Sequence, residues 1–201
     1  RGALWMMGCT ASWSVMAALT RELSNDIHVF EIVFFRSLFG GMFLLPWLFR
    51  TGLKGLHTKR PGMHAARGII GLITIYMLFT AITITPLGEV AAILATRPIF
   101  ASLAAVIILR EAALGRRWTA TILGVAGALI ILRPGMVEMS TGALLVLASV
   151  IMVSALTIIM KVLVRTDSPD SIATYQMIIY IPISLIPALF DWHTPGWADW
   201  P

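Results

Sequence analysis

Long apolar stretches without any charged residue restrict most strongly how this chain can fold. Residues 3–20, 68–88, 139–160 and 171–190 contain no Asp, Glu, Lys or Arg. A helix of about 20 apolar residues crosses the roughly 30 Å of hydrocarbon in a bilayer. Of the chain, 58% is hydrophobic and 12% is charged, whereas soluble domains average about 25% charged residues. No single soluble core could cover this much apolar surface, so the sequence predicts an all-α membrane protein.

Three further segments complete the predicted bundle. Residues 118–132 are uncharged but shorter, and residues 28–49 and 89–109 qualify as membrane spans once one internal arginine is allowed in each. These arginines are Arg36 and Arg97. Short loops containing Pro, Gly, Asn and Asp separate the segments. We therefore predict a polytopic transmembrane helix bundle in which seven helices are present.

Positive charge alternates from loop to loop, and this predicts the orientation of the bundle. Cytoplasmic loops of membrane proteins carry an excess of Lys and Arg. The loops after the second and fourth predicted helices are strongly basic, whereas the alternate loops contain only Arg21 and Arg133. We expect a multi-pass protein of the bacterial inner membrane with a cytoplasmic N-terminus. The residues of the two basic loops are Arg50, Lys54, Lys59, Arg60, Arg67, Arg110, Arg116 and Arg117.

Two parts of the chain resemble each other. Gly2-Ala3-Leu4 recurs as Gly142-Ala143-Leu144, and at the same offset Ser14 corresponds to Ser154. Five predicted helices separate the copies, and because five is odd the second copy would be inverted in the membrane. Inverted repeats are typical of secondary transporters, whose substrate sites lie near the middle of the bilayer. Chance similarity is the alternative explanation.

Arg36 and Arg97 are the strongest candidates for binding a substrate. Each lies about eight or nine residues from the outer end of its predicted helix, near the middle of the membrane. An arginine at that depth costs about 2.5–3.5 kcal/mol on insertion scales and faces the bundle interior or a wet cavity. We expect one or both to bind a carboxylate or phosphate. A structural pairing with Glu31 or Glu89, or snorkelling toward the surface, is the alternative.

Pro98 and Glu89 are candidates for a kink or a gate in the fourth predicted helix. Pro98 removes a backbone donor and clashes with the carbonyl of Leu94, so the helix should kink there. Broken helices beside a charge often line transport cavities. A plain structural kink is the alternative.

Several polar and aromatic residues inside the predicted helices could also contact a ligand. Tyr76, Thr80 and Thr83 share one face of the third helix, because they are spaced four and three residues apart. Trp13 could stack on an aromatic ligand, and Tyr175 and Gln176 lie in the seventh helix. Hydrogen bonding or packing between helices is the alternative for each of them.

Other chemistries find little support in the sequence. The net charge of +5 resides in short loops rather than along one exposed face, so we expect no nucleic-acid partner. The single cysteine, Cys9, allows no internal disulfide. No pair of histidines has metal-ligand spacing, and no phosphate-binding loop or Ser/His/Asp group is present. We therefore predict a non-enzyme without metal or cofactor.

The chain resembles the EamA family of the drug/metabolite transporter superfamily over residues 1 to about 190. The most specific part is residues 67–134, and Phe34-Phe35-Arg36 also matches. Together with His28-Val29-Phe30-Glu31, that segment is similar to members grouped with S-adenosylmethionine carriers and riboflavin transporters. The matching residues within 67–134 are Arg67-Gly68, Thr85-Pro86-Leu87-Gly88-Glu89, Pro98-Ile99-Phe100, Glu111, Arg117-Trp118, Gly124, Gly127 and Arg133-Pro134.

The resemblance implies ten helices arranged as inverted five-helix repeats. Residues 1–134 would form the first repeat, and residues 139–201 would begin a second repeat that is cut after two helices. It also implies alternating-access transport of a small polar metabolite, with a lipid bilayer around the protein and a homodimer left open. Two residues depart from the family pattern: Arg97 replaces a small or amide residue, and Arg110 replaces a glycine before Glu111.

Two other classes of protein remain as alternatives. A membrane enzyme or a non-transporting scaffold would also be a helix bundle, although intramembrane catalysis usually needs paired acids or histidines. A seven-helix receptor would match the number of helices. A retinal protein would need a lysine in its last helix, and residues 171–190 contain none.

The predicted orientation can be tested by labelling. A tag or label introduced within residues 50–67 should be accessible from the cytoplasm, because this loop carries the largest cluster of positive charge. Labelling of that loop from the periplasm would contradict the predicted topology.

Overall fold

The computed structural model describes residues 2–24, 27–109 and 140–190, together with Trp192 and isolated positions between 119 and 127. Every regular element in these ranges is helical, which confirms the predicted all-α class. A short 3-10 helix, Gly52–Leu56, follows the second α-helix. The α-helices are α1 (Gly2–Leu23), α2 (Val29–Thr51), α3 (Pro61–Ile84), α4 (Leu87–Leu94), α5 (Arg97–Leu109), α6 (Thr141–Leu163) and α7 (Pro169–Phe190).

Among the described residues, five helical segments are long and apolar enough to cross a membrane. Four of them are α2, α3, α6 and α7, and the fifth, Leu87–Ala104, runs from α4 into α5. The predicted span at 3–20 is a helix, α1, but it is not among these five. The predicted helix at 118–132 falls outside the described residues except for isolated positions.

Local sequence signals set the helix starts. The Ser140 hydroxyl accepts a hydrogen bond from the Ala143 amide at 3.1 Å, which caps the N-terminus of α6. His28 caps α2 in the same way through Nδ1, which accepts from the Phe30 amide at 3.3 Å. Pro61 and Pro169 each open a helix, where the missing amide hydrogen costs nothing.

The span predicted at 89–109 as one kinked helix is two helices in the structure. Helix α4 ends at Leu94, α5 begins at Arg97, and Ala95 and Thr96 form a turn between them. Pro98, the second residue of α5, has no amide hydrogen for the Leu94 carbonyl. In the turn, the Thr96 amide bonds to Ile93 O at 3.0 Å, and its hydroxyl donates to the same oxygen at 2.6 Å. The break therefore lies just before the proline.

The core lies where α2, α3, α4 and α5 meet α6 and α7, and α1 packs on α3. Helix α3 packs mainly on α6, and α2 packs along α7, while α4 and α5 also contact α6. Fully buried side chains at these contacts include Val33, Phe79, Val146 and Val150. The helices approach closely because glycines face large side chains. A Cβ on Gly68, for example, would lie 2.6 Å from Ile179 Cδ1.

Large apolar side chains cover the outer faces of the bundle. Phe43 of α2 is 86% exposed, Trp5 of α1 is 77% exposed and Phe190 of α7 is 83% exposed. Such surfaces are unfavourable in water but match the hydrocarbon of a bilayer. The exposed surface therefore agrees with the apolar composition in indicating a membrane protein.

Gly71 offers a test of the α3–α7 contact. A Cβ at this position would collide with the hydroxyl of Tyr180, a side chain that is 1% exposed and cannot easily move. We expect Gly71→Ala to destabilise the protein by about 1–3 kcal/mol, measured as a lower Tm in detergent. Gly62 of the same helix has open space around it, so Gly62→Ala should keep or raise the Tm. Equal Tm values for the two variants would contradict this packing.

Candidate functional site

Arg36 reaches a cavity of about 650 Å³ between α1, α2 and α3. Small-molecule sites in proteins commonly measure roughly 300–1,000 Å³. The wall is mostly apolar, with the aromatic rings of Phe35, Phe39 and Phe79 beside Met16 and the hydroxyl-bearing Ser12 of α1. A guanidinium in such a wall can fix a charged group of a ligand while the rings contact its apolar part.

The guanidinium of Arg36 is only partly satisfied by the protein. Its Nε donates to the Met16 sulfur at 3.4 Å, and a thioether is a weak acceptor. Its Nη1 is buried and has no hydrogen-bond partner among the described residues. Leaving a buried charged donor without a partner costs more than an ordinary hydrogen bond contributes. Arg36 is therefore the residue in this cavity that would gain most from an anionic ligand.

Arg97 approaches the same face of α1 from another helix. Its guanidinium carbon lies 5.9 Å from the centre of the Trp13 ring, at the outer limit of a cation–π contact. Its Nε is buried without a hydrogen-bond partner in the described part of the chain. Trp13 and Met16 are three residues apart, about one helical turn. The two arginines thus contact neighbouring positions of α1, and within the described residues neither forms an ion pair with a carboxylate.

Tyr76 and the two threonines of α3 have different surroundings. The Tyr76 ring packs edge-on against Phe30 with their centres 5.2 Å apart, and its hydroxyl is buried without a described partner. Thr83 donates to the Thr80 carbonyl of its own helix at 2.7 Å. Thr80 itself is half-buried. The Tyr76 hydroxyl therefore has no described partner, whereas the Thr83 hydroxyl is engaged within its own helix.

Glu89 and Pro98 lie at the ends of the two short helices. Glu89 is half-buried in the first turn of α4, where a negative charge interacts favourably with the helix dipole. Pro98 is exposed beside Arg97 at the start of α5. Their suggested role in gating stays a prediction.

Tyr175 and Gln176 contact the start of α3 and the linker that precedes it. The Tyr175 hydroxyl donates to Leu56 O at 2.5 Å, and Gln176 Oε1 accepts from Arg67 Nη1 at 2.6 Å. The structure therefore places both side chains in contacts between segments.

A buried pair that the sequence analysis did not identify lies beside Tyr175. His64 Nε2 is 3.7 Å from Asp167 Oδ1, and the two side chains are 2% and 1% exposed. The His64 ring lies 4.3 Å from the Tyr175 ring, centre to centre. No sequence spacing signals the pair, because the two residues come from distant parts of the chain. Among the described residues, no group of three potential metal ligands exists.

Hydrogen bonding sets the acidity of Asp167, which lies outside the membrane-spanning segments. Burial acts to raise the pKa of its carboxyl group, but hydrogen bonds from Thr166 and Thr58 and the neighbouring His64 outweigh burial. The pKa of Asp167 is therefore lowered from its ordinary value of 3.8. The bond from Thr166 Oγ1 to Asp167 Oδ2 is 2.6 Å long.

Comparisons with known proteins agree with the helical bundle and with the resemblance noted above. Residues 1–133 match the EamA-like transporter family, and the chain belongs to this family. Together with the candidate spans, this membership makes it a multi-pass membrane protein. No solved structure gives a significant match.

Individual relatives are transporters by name. The chain is 29% identical over 195 residues to an S-adenosylmethionine uptake transporter of Rickettsia prowazekii, covering 97% of this chain and 66% of that protein. It is 27% identical over 200 residues to a riboflavin transporter of Vibrio cholerae, covering 98% of this chain and 67% of that protein. It is 31% identical over 133 residues to a pseudopaline exporter of Pseudomonas aeruginosa, covering 66% of this chain and 46% of that protein. The chain thus spans about two thirds of the length of the first two relatives.

The lowered pKa of Asp167 predicts part of the acid stability. A carboxylate whose pKa is lowered on folding stabilises the folded state at any pH above its unfolded-state pKa, which for Asp is 3.8. This stabilisation is lost as the pH falls from 3.8 through the lower pKa of the folded state. We expect Asp167→Asn to be less stable than wild type at neutral pH and to lose less stability on acidification. Asp170→Asn, which changes an exposed acid nearby, should follow wild type. Chemical unfolding in detergent across this pH range measures the difference, and parallel curves for wild type and Asp167→Asn would contradict it.

Proposed function

We propose that this chain is part of a secondary active transporter that moves a small polar metabolite across the bacterial inner membrane by alternating access. The observation that carries the proposal is the guanidinium of Arg36, which lies in an apolar cavity with a buried, unpartnered Nη1. Membership of the EamA-like transporter family and the names of its relatives support it. The bundle is oriented with its N-terminus in the cytoplasm, as the basic loops indicate.

The substrate carries an anionic group beside an apolar or aromatic part. A carboxylate or phosphate would supply the acceptor that Arg36 Nη1 lacks, and Arg97 and Tyr76 could supply further donors. Phe35, Phe39 and Phe79 form an apolar wall for the remainder of the molecule. Amino-acid-like, nucleoside-derived and vitamin-like metabolites combine these properties.

Two inverted repeats account for the packing of the helices. In this arrangement residues 1–134 form the first repeat, residues 139–201 begin the second, and α6 and α7 are the counterparts of α1 and α2. Helix α2 packs along its counterpart α7, so in this arrangement these two helices meet at the contact between the repeats. The described residues that line the cavity, from Ala11 to Phe79, belong to the first repeat.

Transport measurements on Arg36 variants test the proposal. With the full-length gene product in proteoliposomes, we expect uptake of labelled S-adenosylmethionine or riboflavin, or of a metabolite found by a thermal-shift screen. Arg36→Ala should lower uptake about ten- to a hundredfold, because a hydrogen bond to a charged group contributes about 1.5–3 kcal/mol. Arg36→Lys should retain part of the activity, because it keeps the charge.

Arg50→Ala is the matched control, because Arg50 lies on the same helix at its exposed end. It should transport like wild type at equal expression. Wild-type uptake by both Arg36→Ala and Arg97→Ala would remove the proposed role of the arginines. A set of ligands that contains only neutral and cationic compounds would also count against it.

A further inference from the structure

Helices α3 and α7 present matching polar positions to each other. On α3, Arg67 and Gly71 are four residues apart, and on α7 Gln176 and Tyr180 are four residues apart, so each pair shares one helix face. Arg67 Nη1 donates to Gln176 Oε1 at 2.6 Å. One turn further along both helices, the Tyr180 hydroxyl lies against Gly71, where a Cβ would collide with it. This register brings two polar groups of α7 onto the face of α3 that carries Arg67.

The Tyr180 hydroxyl connects this contact to Arg36. The Tyr180 side chain is 1% exposed, and its hydroxyl is hydrogen-bonded to Gln176. The guanidiniums of Arg36 and Arg67 both lie within the range of electrostatic interaction with this hydroxyl. Two arginines from different helices are therefore neighbours of one buried phenol group.

Arg67 has no negative partner in the part of the chain that the structure describes. The ion pair found there joins His64 to Asp167, and the acceptor for Arg67 is the neutral amide of Gln176. Neighbouring guanidiniums repel each other in a medium of low dielectric constant, and each buried charge is costly without a counter-charge. A bound anion would reduce both costs, because charge-assisted bonds to a carboxylate or phosphate are stronger than a bond to an amide.

The two arginines and the tyrosine lie at successive depths of the bundle. At about 1.5 Å per residue, Arg67 is roughly 9 Å from the start of α3, and Tyr180 is roughly 16 Å from the start of α7. Arg36 is roughly 22 Å from the end of α2. These three helix ends face the cytoplasm in the proposed orientation. Arg67 is then the arginine nearer to the cytoplasm, and Tyr180 lies at an intermediate depth.

We propose that Arg67, Gln176 and the Tyr180 hydroxyl form a second anion-binding site, which takes the carboxylate or phosphate of the substrate on the cytoplasmic side of Arg36. The anion replaces the Gln176 amide as the acceptor for Arg67, and it passes between the two arginines beside the Tyr180 hydroxyl. Passage of a substrate rests on the proposed function, whereas anion binding by Arg67 does not.

Thermal unfolding in the presence of anions tests the second site without transport. The full-length protein in detergent is titrated with inorganic phosphate, and separately with acetate, at constant pH and ionic strength. Arg36→Ala should keep a saturable rise in Tm with phosphate or acetate, because a ligand that binds the folded state stabilises it. Adding Arg67→Gln to this variant should abolish the rise. Arg67→Lys in the same background should retain part of it, because lysine keeps the charge.

Matched variants separate anion binding from packing, and the quantity compared is the phosphate-dependent rise in Tm. In the Arg36→Ala background, Tyr180→Phe keeps the buried ring and removes the hydroxyl, so phosphate should bind about three- to tenfold more weakly. Tyr175→Phe should leave the rise unchanged, because the Tyr175 hydroxyl bonds to Leu56 O. Arg60→Gln, which removes a positive charge just before α3, should also leave it unchanged.

Transport from the two faces of the membrane tests the place of this site in the pathway. In inside-out vesicles, Arg67→Gln should raise the KM for substrate about tenfold, because a charge-assisted hydrogen bond is lost where substrate enters. In right-side-out vesicles the KM should change less, because Arg36 is intact. A link that only holds α3 to α7 would instead lower kcat from both faces without changing the ratio of the two KM values.

Each measurement can overturn the proposal. An Arg36→Ala variant without any rise in Tm with phosphate or acetate would remove the second site, and so would an equal rise after Arg67→Gln is added. If Arg67→Gln does not fold, an equal rise in Arg36→Ala with and without Tyr180→Phe overturns the site as proposed. Loss of the anion response in Arg36→Ala leaves the transport proposal intact, so the two failures are distinguishable.

Discussion

Polar groups inside this bundle must find their partners within the protein, because lipid offers none. Most of its hydroxyl groups do so within their own helix. Ser37, Thr74 and Ser154 each donate to the carbonyl four residues earlier, at 2.7, 2.6 and 2.9 Å. Arg36 and Arg97 depart from this pattern, because each keeps a buried nitrogen without a described partner. Such departures from local satisfaction are where function is expected.

The break between α4 and α5 follows the same constraint. A proline at position 98 leaves the Leu94 carbonyl without its helical donor, and in the turn just before it Thr96 bonds to Ile93 O with both its amide and its hydroxyl. The result is that α5 begins at Arg97 and carries that side chain toward Trp13. The proline that interrupts the helical hydrogen bonding therefore lies directly next to the buried charge of Arg97.

The candidate site was predictable in part. Arg36 and Arg97 were predicted from the sequence, because both lie deep within apolar segments and a charge at that depth requires an interior position. Met16, whose sulfur accepts a hydrogen bond from Arg36, carries no sequence signal, since a methionine in an apolar helix suggests only packing. Tyr175 and Gln176 were ligand candidates like Tyr76, because they are polar residues inside a predicted helix. The structure separates them, because the packing of α7 against the start of α3 directs them to Leu56 and Arg67.

The sequence by itself determined that this chain forms membrane-crossing helices, because the length and apolarity of a segment decide whether it prefers lipid to water. It also determined the family, through residues between Arg67 and Pro134 and through Phe34-Phe35-Arg36. Only the tertiary structure decided which residues meet across helices. The pairing of His64 with Asp167 and the convergence of two arginines on α1 depend on how helix faces pack, and contacts between distant residues leave no periodic pattern along a single chain.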